Sequence, residues 1–415
     1  MDEREADEIE ITLDSLAYGG DALGRLPDGR RVFVPYTLPG ETVVLRLTEE
    51  KSRHARAELV EVLKPSPERV APRCRHYGMC GGCHYQHMDY AAQLAGKQAI
   101  LKEQLQRIAG IQDPPLRPPI PSPRAWGYRN HVQFHLTPSG ALGYHKARSN
   151  EAFPIQECHL PEESINAVWP QLELEPVPGL ERIGLRAGAG DEIQLILESG
   201  QPDPPEISVE DLPLSVVHTS PWGSLVLAGS EQIEIEVLDR SLQVSAGSFF
   251  QANQQVAERM VEHILGSLPL EPESTLLELY SGVGLFSAFI APRVKRLVCV
   301  ESSPQACADF EVNLEASINV ELYEATAEQA LGSLELRPDA VLVDPPRAGL
   351  GRDVTAALLA LQPGVIPYVS CDPATLGRDA RQLIDGGYYL AQVTLFDAFP
   401  QTYHIESISL WRAAT

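Results

Sequence analysis

From about residue 273 the sequence alternates short apolar runs with helical segments, and this pattern restricts the possible folds more than any other. The apolar runs are TLLELY, RLVCVES, AVLVDPP and VIPYVSCDP, and each leads towards a helical segment. Because parallel strands need crossover helices, we predict a parallel sheet covered by helices on both faces. YYLAQVTLF and HIESISLWR follow with a short loop between them, which predicts an antiparallel pair at the sheet edge. The C-terminal region is therefore predicted to be a Rossmann-like α/β domain.

The N-terminal region shows a different pattern, in which short alternating runs are broken by Gly, Pro and Asp. With a turn at Pro27-Asp28-Gly29, this pattern predicts a small OB-like β-barrel over residues 8–66. Further along lie a helical segment (90–109, ended by Gly110), a proline-rich connector (113–124), a strand-rich stretch (126–250) and a helix (254–267). We therefore predict three domains: the barrel at 1–66, a central α+β domain at 67–250, and the C-terminal α/β domain at 251–415.

Charge and hydropathy restrict location and partners. No run of about 18 apolar residues is present, and the acidic start MDEREADEIE lacks signal-peptide features, so we expect a cytoplasmic protein that spans no membrane. We also expect a monomer. The net charge of -24 by itself argues against a nucleic-acid partner. Residues 1–150 nevertheless hold 20 Lys/Arg against 18 Asp/Glu, whereas 151–415 hold 13 against 39. Basic residues in the first third that could contact phosphate are Arg30, Arg31, Lys51, Arg53, Arg56, Arg73 and Arg75. RNA binding thus stays open, and solubility is the simplest explanation of the acidic remainder.

The sequence LELYSGVGLF places a glycine-rich turn after the first strand of the α/β domain. Gly282 and Gly284 let the backbone approach a ligand at the carboxyl end of that strand. Glu301 ends the second strand, where a carboxylate can accept hydrogen bonds from both ribose hydroxyls of an adenosine cofactor. Ser287 occupies the third glycine position of a dinucleotide fingerprint, which disfavours an oxidoreductase. S-adenosylmethionine (SAM) fits better than NAD, because the terminal strand pair resembles the sheet edge of SAM-dependent methyltransferases.

Asp344-Pro345-Pro346-Arg347 follows the fourth strand, at the predicted ligand edge of the sheet. The two prolines hold the chain extended and thereby fix the carboxylate of Asp344. Asp-Pro-Pro-Tyr would indicate methylation of an exocyclic amine, because the aromatic ring stacks on the target base. Arg347 replaces that ring, so we predict a different methylation chemistry.

Cys371 lies in Ser370-Cys371-Asp372-Pro373, between the fifth strand and a helix that Asp372 is predicted to cap. The helix N-terminus favours thiolate and the charge of Asp372 opposes it, which predicts a moderately activated nucleophile. A thiol suits methylation of carbon 5 of uracil, because its addition to C6 makes an enolate that can attack the sulfonium methyl. A base must then remove the C5 proton. Glu406 is the candidate and His404 is its rival.

Three cysteines form a C-x5-C-x2-C cluster, which in a cytosolic protein indicates metal binding rather than disulfides: Cys74, Cys80 and Cys83. A structural zinc needs a second pair of ligands, and none follows. Cys299 and Cys307 fall in an apolar strand and the next helix, which leaves Cys158 as the fourth ligand. Three clustered cysteines and a distant one suit an iron–sulfur cluster, for which we expect a structural role.

SGVG, DPPRAGL, SCDP and HIES occur in this order and closely resemble the motifs of the RNA uracil-C5 methyltransferase family. The resemblance runs from Ser248 to the C-terminus and is looser elsewhere. It implies Cys371 as nucleophile, Glu406 as general base, and SAM contacts from Gln251, Tyr280, Glu301 and Asp344. It also implies an N-terminal TRAM domain that binds RNA, and a [4Fe–4S] cluster on Cys74, Cys80, Cys83 and Cys158. Phe249 matches a family aromatic near the target base, whereas Leu285 stands where the family often has Asn.

The RNA substrate stays open. Family members with both a TRAM domain and a cluster usually act on 23S rRNA, which is the expected substrate, and some act on tRNA. A cytosine-C5 RNA methyltransferase is a further hypothesis, although its motifs normally add a second Cys and lack DPPR. A non-catalytic RNA-binding factor of ribosome assembly is another.

Overall fold

The structure is a computed structural model that describes residues 8–172, 179–205, 214–268 and 270–414. Residues 1–7, the start of the predicted first domain, lie outside the described residues. The first five strands are β1 (Glu8–Leu16), β2 (Ala22–Arg25), β3 (Arg31–Val34), β4 (Thr42–Glu50) and β5 (His54–Lys64). They close into a barrel in the order β1-β2-β3-β5-β4, with the apolar side chains of the alternating pattern, such as Leu13 and Val43, buried inside. The predicted OB-like β-barrel is confirmed.

The cysteine-bearing loop leads into α1 (Tyr90–Gln104). Asp89 caps this helix, because its side chain accepts a hydrogen bond from the Ala92 amide at 2.8 Å. The helix continues as one π-helical turn, Leu105–Ala109, and ends at Gly110, whose φ of 76° suits a residue without a Cβ. The predicted helix and its end are confirmed.

The central region contains a seven-stranded sheet and a separate hairpin. The sheet and its short helix comprise β6 (His131–Leu136), β7 (Leu142–His145), β8 (Ala152–Pro154), α2 (Glu163–Val168), β9 (Leu180–Ala187), β10 (Ile193–Ser199), β11 (Leu214–Ser220) and β12 (Gly223–Ala228). The strand order is β12-β11-β10-β9-β6-β7-β8. The hairpin is β13 (Gln232–Val237) with β14 (Arg240–Ser245). Single 3₁₀ turns occur at Trp169–Gln171, Ala189–Asp191 and Ala291–Arg293.

The C-terminal region is a second seven-stranded sheet with helices. Its elements are α3 (Gln254–Ser267), β15 (Thr275–Leu279), α4 (Ser287–Ile290), β16 (Arg296–Glu301), α5 (Pro304–Asn313), β17 (Val320–Glu324), α6 (Ala327–Ser333), β18 (Ala340–Val343), α7 (Gly351–Ala360), β19 (Val365–Ser370), α8 (Pro373–Asp385), β20 (Tyr388–Phe396) and β21 (Glu406–Ala413). The order is β17-β16-β15-β18-β19-β21-β20, in which β15 to β19 are parallel and β21 is antiparallel to both neighbours. The predicted α/β domain and its antiparallel edge are confirmed.

Segments outside residues 251–415 also pack against the C-terminal sheet. Apolar residues of the β13–β14 hairpin share one core with α3 and α5. The last turn after α1 packs on α8, where a Cβ on Gly377 would lie 2.9 Å from the Cβ of Ile108. The proline-rich connector borders β20, because the Arg117 amide donates to the Val393 carbonyl at 2.8 Å. The domain limits stay a proposal, and the packing of the hairpin favours a limit near Ser230 over one at residue 250.

Among the described residues, no helix is both long and apolar enough to cross a bilayer.

Candidate active site

Three parallel strands end side by side and carry predicted site residues at their carboxyl ends. The last residues of β15 and β18, Leu279 and Val343, are paired, and β18 is paired in turn with β19. Tyr280, Asp344 and Cys371 therefore lie close together, at the carboxyl ends of adjacent strands. Ligands of open α/β sheets bind at this edge.

The antiparallel strand β21 brings Glu406 to Cys371. Ser370, the last residue of β19, is paired with Ser407 of β21, so Cys371, which follows β19 directly, lies near Glu406, the first residue of β21. Glu406 is 4% exposed, and Cys371 is partly buried. The fold thus brings together the predicted nucleophile and the predicted base.

The electrostatic setting of Cys371 differs from the predicted one. Asp372 caps α8 as predicted. Burial, and after it the charges of Glu406 and Asp344, raises the pKa of the Cys371 thiol to about 12, and Arg347 opposes the rise. The prediction of a moderately activated thiol was therefore wrong, because burial and two neighbouring carboxylates raise its pKa.

The candidate bases differ in how well they take a proton. The pKa of Glu406 lies well above its usual range, because of burial first and the charge of Asp344 second. Burial likewise raises the pKa of Asp344 to about 7. Burial, followed by the charge of Arg347, lowers the pKa of His404 to about 3, so its neutral ring is a weak proton acceptor. Of the two candidates, Glu406 is the stronger base once it is ionised.

The glycine-rich turn after β15 has the backbone geometry of a ligand loop. Tyr280 has a φ of 64°, a left-handed value that is uncommon outside glycine, and Gly282 and Gly284 follow with 55° and 92°. The Gly282 amide donates to the Glu301 carboxylate at 2.9 Å, so the predicted ribose acceptor borders the turn. Within the described part of the chain, the buried Ser281 hydroxyl has no hydrogen-bond partner. These polar groups can serve an adenosine ligand.

The segment 248–253 borders the site from another side. Phe250 and Arg347 line one cavity, and Gln251 follows Phe250 directly. Phe249 lines the same cavity and is 76% exposed. A large aromatic ring with this exposure can stack on an incoming base.

The four predicted cluster ligands, Cys74, Cys80, Cys83 and Cys158, line the cavity that Phe249 and Arg347 also border, which has a volume of about 480 Å³. The Gly82 amide donates to the Cys80 sulfur at 3.4 Å. Over the described ranges, no group of three or more His, Cys, Asp or Glu side chains is arranged to hold one metal ion. The fold therefore gathers four thiols around one space without converging three of them on a point.

Basic residues of the barrel are largely paired with carboxylates. Arg30 contacts Asp28 at 2.6 Å, and Lys51 contacts Glu49 at 2.8 Å. Such exposed pairs are weak, so phosphate groups can compete for the cations. The charge of the barrel by itself still neither supports nor excludes RNA binding.

The site also contains two arginines that were not predicted from the sequence as site residues. Arg347 opposes the pKa rises of both Cys371 and Glu406, and thus offsets their negative charge. Its position directly after Asp-Pro-Pro, at the end of a strand, was the sequence feature that could have identified it. Arg129 lines the shared cavity with its guanidinium 5.6 Å from the centre of the Phe399 ring. No local pattern marked Arg129, because the two residues are distant along the chain.

Known proteins resemble this chain in sequence over nearly its whole length. Residues 228–413 match the family model described as tRNA (Uracil-5-)-methyltransferase, and residues 3–60 match the TRAM domain. An uncharacterized RNA methyltransferase of Streptomyces coelicolor is 33% identical over 429 positions, covering 98% of this chain and 93% of the relative. Another from Aquifex aeolicus is 34% identical over 422 positions, covering 97% and 98%.

A solved structure shares the fold. The Pyrococcus abyssi tRNA (uracil-54, C5)-methyltransferase in complex with S-adenosyl-L-homocysteine aligns with a TM-score of 0.74 at 24% identity, over 97% of this chain and 100% of that one. The relatives match over almost their full length, and the matched motifs are those that build the site. The chain therefore belongs to the family of RNA methyltransferases described by the tRNA (Uracil-5-)-methyltransferase model, and it carries an N-terminal TRAM domain.

Proposed function

We propose that this enzyme transfers the methyl group of SAM to carbon 5 of a specific uridine in 23S rRNA, through a covalent adduct with Cys371. The observation that carries the proposal is the pairing of β19 with β21, which puts Cys371 near Glu406. Asp344 and the glycine-rich turn lie at the same edge. A thiol and a proton acceptor close together are the two groups that C5 methylation needs.

The reaction uses Cys371 and Glu406 in turn. The Cys371 thiol releases its proton to water, its sulfur adds to C6 of uracil, and the electrons of the C5–C6 double bond move towards O4 as an enolate. Carbon 5 then takes the sulfonium methyl group, and the electron pair of the broken bond stays on sulfur in S-adenosylhomocysteine. The Glu406 carboxylate removes the C5 proton, and the electrons of that bond expel the Cys371 sulfur from C6. Because burial raises the pKa of Glu406, its ionised form accepts this proton strongly.

SAM is held, in this proposal, by Gln251, Tyr280, Glu301 and Asp344. The left-handed Tyr280, the contact of Gly282 with Glu301 and the unpartnered Ser281 hydroxyl support a ligand at this turn. Leu285 is 7% exposed and belongs to the core, so the side-chain contact that Asn supplies in the family is missing. Backbone amides of the turn serve the SAM carboxylate instead.

We further propose that Cys74, Cys80, Cys83 and Cys158 hold a [4Fe–4S] cluster. The donor set fits, because it consists of four thiols around one cavity. When bound, the cluster supplies structural order to the loop, because neither step of uracil methylation needs an electron.

Two RNA classes remain as substrates. The TRAM domain and the exposed Phe249 support RNA binding beside the site. The joint presence of a TRAM domain and the four cysteines favours 23S rRNA, following the resemblance. A tRNA is the second candidate, because the Pyrococcus abyssi protein with the same fold is named for action on tRNA.

Methyl transfer from labelled SAM tests the proposal, with bulk rRNA and tRNA from a strain that lacks the gene. We expect label in 23S rRNA as 5-methyluridine, and none with Cys371→Ala. Cys299→Ala, which removes a thiol buried inside β16, is the matched control and should keep most of the activity. Label in tRNA alone would select the second substrate, and no label in either RNA would favour a non-catalytic RNA-binding factor.

RNA containing 5-fluorouridine tests the covalent step. 5-Fluorouridine carries fluorine in place of the C5 hydrogen, so the base has no C5 proton to remove. The adduct should therefore accumulate with the wild-type protein. Glu406→Gln should accumulate an adduct with ordinary RNA, because its amide cannot remove the C5 proton. Normal turnover by Glu406→Gln would assign the proton transfer to another group.

A further inference from the structure

Tyr18 lies in the turn between β1 and β2 of the barrel, and this turn is packed against the cysteine loop. The Ala17 amide closes the turn by donating to the Asp21 carbonyl at 2.8 Å. Gly20 has a φ of 98°, and a Cβ there would lie only 3.1 Å from the Cβ of His84. The turn therefore holds Tyr18 in a defined place, where the barrel meets the α/β domain.

Tyr18 contacts both halves of the candidate active site. Its hydroxyl donates to Oδ2 of Asp372, the residue directly after Cys371, at 2.9 Å. Its ring packs edge-on against Tyr403, three residues before Glu406, with the ring centres 5.7 Å apart. The segments that carry the nucleophile and the base thus share one contact on the barrel.

The hydroxyl contact is separate from the capping of α8. Oδ1 of Asp372 accepts hydrogen bonds from the amides of Ala374 and Thr375 at 2.9 and 2.8 Å, which satisfies the helix N-terminus. Oδ2 takes the Tyr18 hydroxyl. Removing that hydroxyl leaves the helix capped, and what is lost is the charge-assisted hydrogen bond that ties the turn after Cys371 to the barrel.

We propose that Tyr18 is a positioning residue for methyl transfer: its hydroxyl orients the Cys371 turn, and its ring orients the loop before Glu406. The inference rests on the proposed function, because it assigns the two parts of one side chain to two steps of that reaction. It also gives the barrel a role besides RNA binding. A contact that merely joins the barrel to the α/β domain would change stability and slow both steps alike.

Two substitutions test the hydroxyl and the ring of Tyr18 separately. Tyr18→Phe removes the hydroxyl and keeps the ring, so it should slow adduct formation with 5-fluorouridine RNA about tenfold, as expected for a lost hydrogen bond to a charged group. RNA affinity, measured in a Cys371→Ala background, should not change. Tyr18→Leu also removes the ring, so an adduct should in addition accumulate on ordinary uridine. Tyr36→Phe is the control, because this barrel hydroxyl donates instead to the Gly78 carbonyl, and it should match the wild type.

Asp372→Asn provides a second arm. If the hydroxyl acts through the Asp372 carboxylate, Tyr18→Phe should have little further effect in the Asp372→Asn background. The proposal is overturned if Tyr18→Phe forms adduct at the wild-type rate, if its defect equals a loss of RNA affinity, or if the defect is the same in both backgrounds. A wild-type protein that forms no adduct would instead reject the proposed function itself.

Discussion

The proposed nucleophile, Cys371, lies among buried acids that are partly offset by one cation. The charge of Asp344 raises the pKa of both Cys371 and Glu406, and Arg347 opposes both rises. Burial and the charge of Asp344 therefore both favour the protonated forms of the thiol and of Glu406. Perturbed pKa values of this kind are typical of reaction sites, where charge develops only as the substrate reacts.

Glu278, on β15 below the glycine-rich turn, gives a prediction about stability and pH. It is 2% exposed, accepts a hydrogen bond from the Ser287 hydroxyl at 2.6 Å, and has a pKa raised to about 8 by burial. The unfolded chain releases this proton near the ordinary value of 4.5, whereas the folded chain keeps it until about 8. This contribution to the free energy of unfolding is therefore complete below 4.5, and falls by about 1.4 kcal/mol per pH unit as the pH rises towards 8.

Glu278→Gln keeps the shape of the side chain and removes its titration. We expect a flatter dependence of the free energy of unfolding on pH, with the variant gaining on the wild type as the pH rises. Denaturant titrations between about pH 5 and pH 8 measure this difference. Glu315→Gln, at an exposed position on the same domain, should leave the pH dependence as in the wild type. Equal slopes for Glu278→Gln and the wild type would show that Glu278 does not carry the effect.

The loop over residues 397–405, between β20 and β21, leads directly to Glu406 and is fastened to α1. The Lys97 ammonium donates to the Asp397 carboxylate at 2.6 Å and to the Phe399 carbonyl at 2.9 Å. Gln93 and Gln401 exchange two hydrogen bonds, at 3.0 and 2.9 Å. A helix early in the chain thus holds the loop that precedes the proposed base, Glu406.

The buried ion pair of this attachment can be tested by substitution. Both side chains, Lys97 and Asp397, are 0% exposed. Lys97→Met should lower the free energy of unfolding by about 3–5 kcal/mol, because it leaves Asp397 buried without a counter-charge. The double variant Lys97→Met/Asp397→Leu should recover most of this loss, because no charge stays buried. Urea titration measures both differences.

An exposed ion pair supplies the control. Lys295 and Glu273 are 65% and 83% exposed, so Lys295→Met should leave the free energy of unfolding close to that of the wild type. A change of similar size for Lys97→Met would mean that the buried pair does not hold the loop.

The three predicted regions pack against one another. One hydrophobic core runs from barrel residues such as Val32, through α1, to sheet residues such as Ile366. The cysteine loop contributes as well, because the amides of His84 and Tyr85 both donate to the Gln401 carbonyl, at 2.8 and 3.0 Å. Order in the cysteine loop is therefore transmitted to the loop that precedes Glu406.

The cluster proposal predicts the metal content of the full chain. Protein purified without oxygen should be brown, with about four iron and four sulfide ions per chain. Cys158→Ser should lose the colour and the iron, whereas Cys299→Ser, inside β16, should keep both. A colourless preparation that contains zinc but neither iron nor sulfide would contradict the cluster.

Sequence reasoning succeeded where the signal is local. Gly110 at the end of α1, Asp372 as the cap of α8, and the strand–helix alternation each depend on neighbours along the chain. It failed for the pKa of Cys371, because that value depends on which distant side chains meet around it. The contact of Tyr18 with Asp372 joins residues 354 positions apart, and no local pattern marks it. The packing of the β13–β14 hairpin could not be predicted either, because an apolar face predicts burial but does not indicate which core it joins.

Covalent catalysis by Cys371 can be read directly from peptide mass spectrometry, after the wild-type protein reacts with SAM and RNA containing 5-fluorouridine. We expect a methylated 5-fluorouridine nucleotide on the peptide that contains Ser370-Cys371-Asp372, and no such peptide from Cys371→Ala. A nucleotide attached to a different cysteine, or methylation of ordinary RNA by Cys371→Ala at the wild-type rate, would contradict the mechanism.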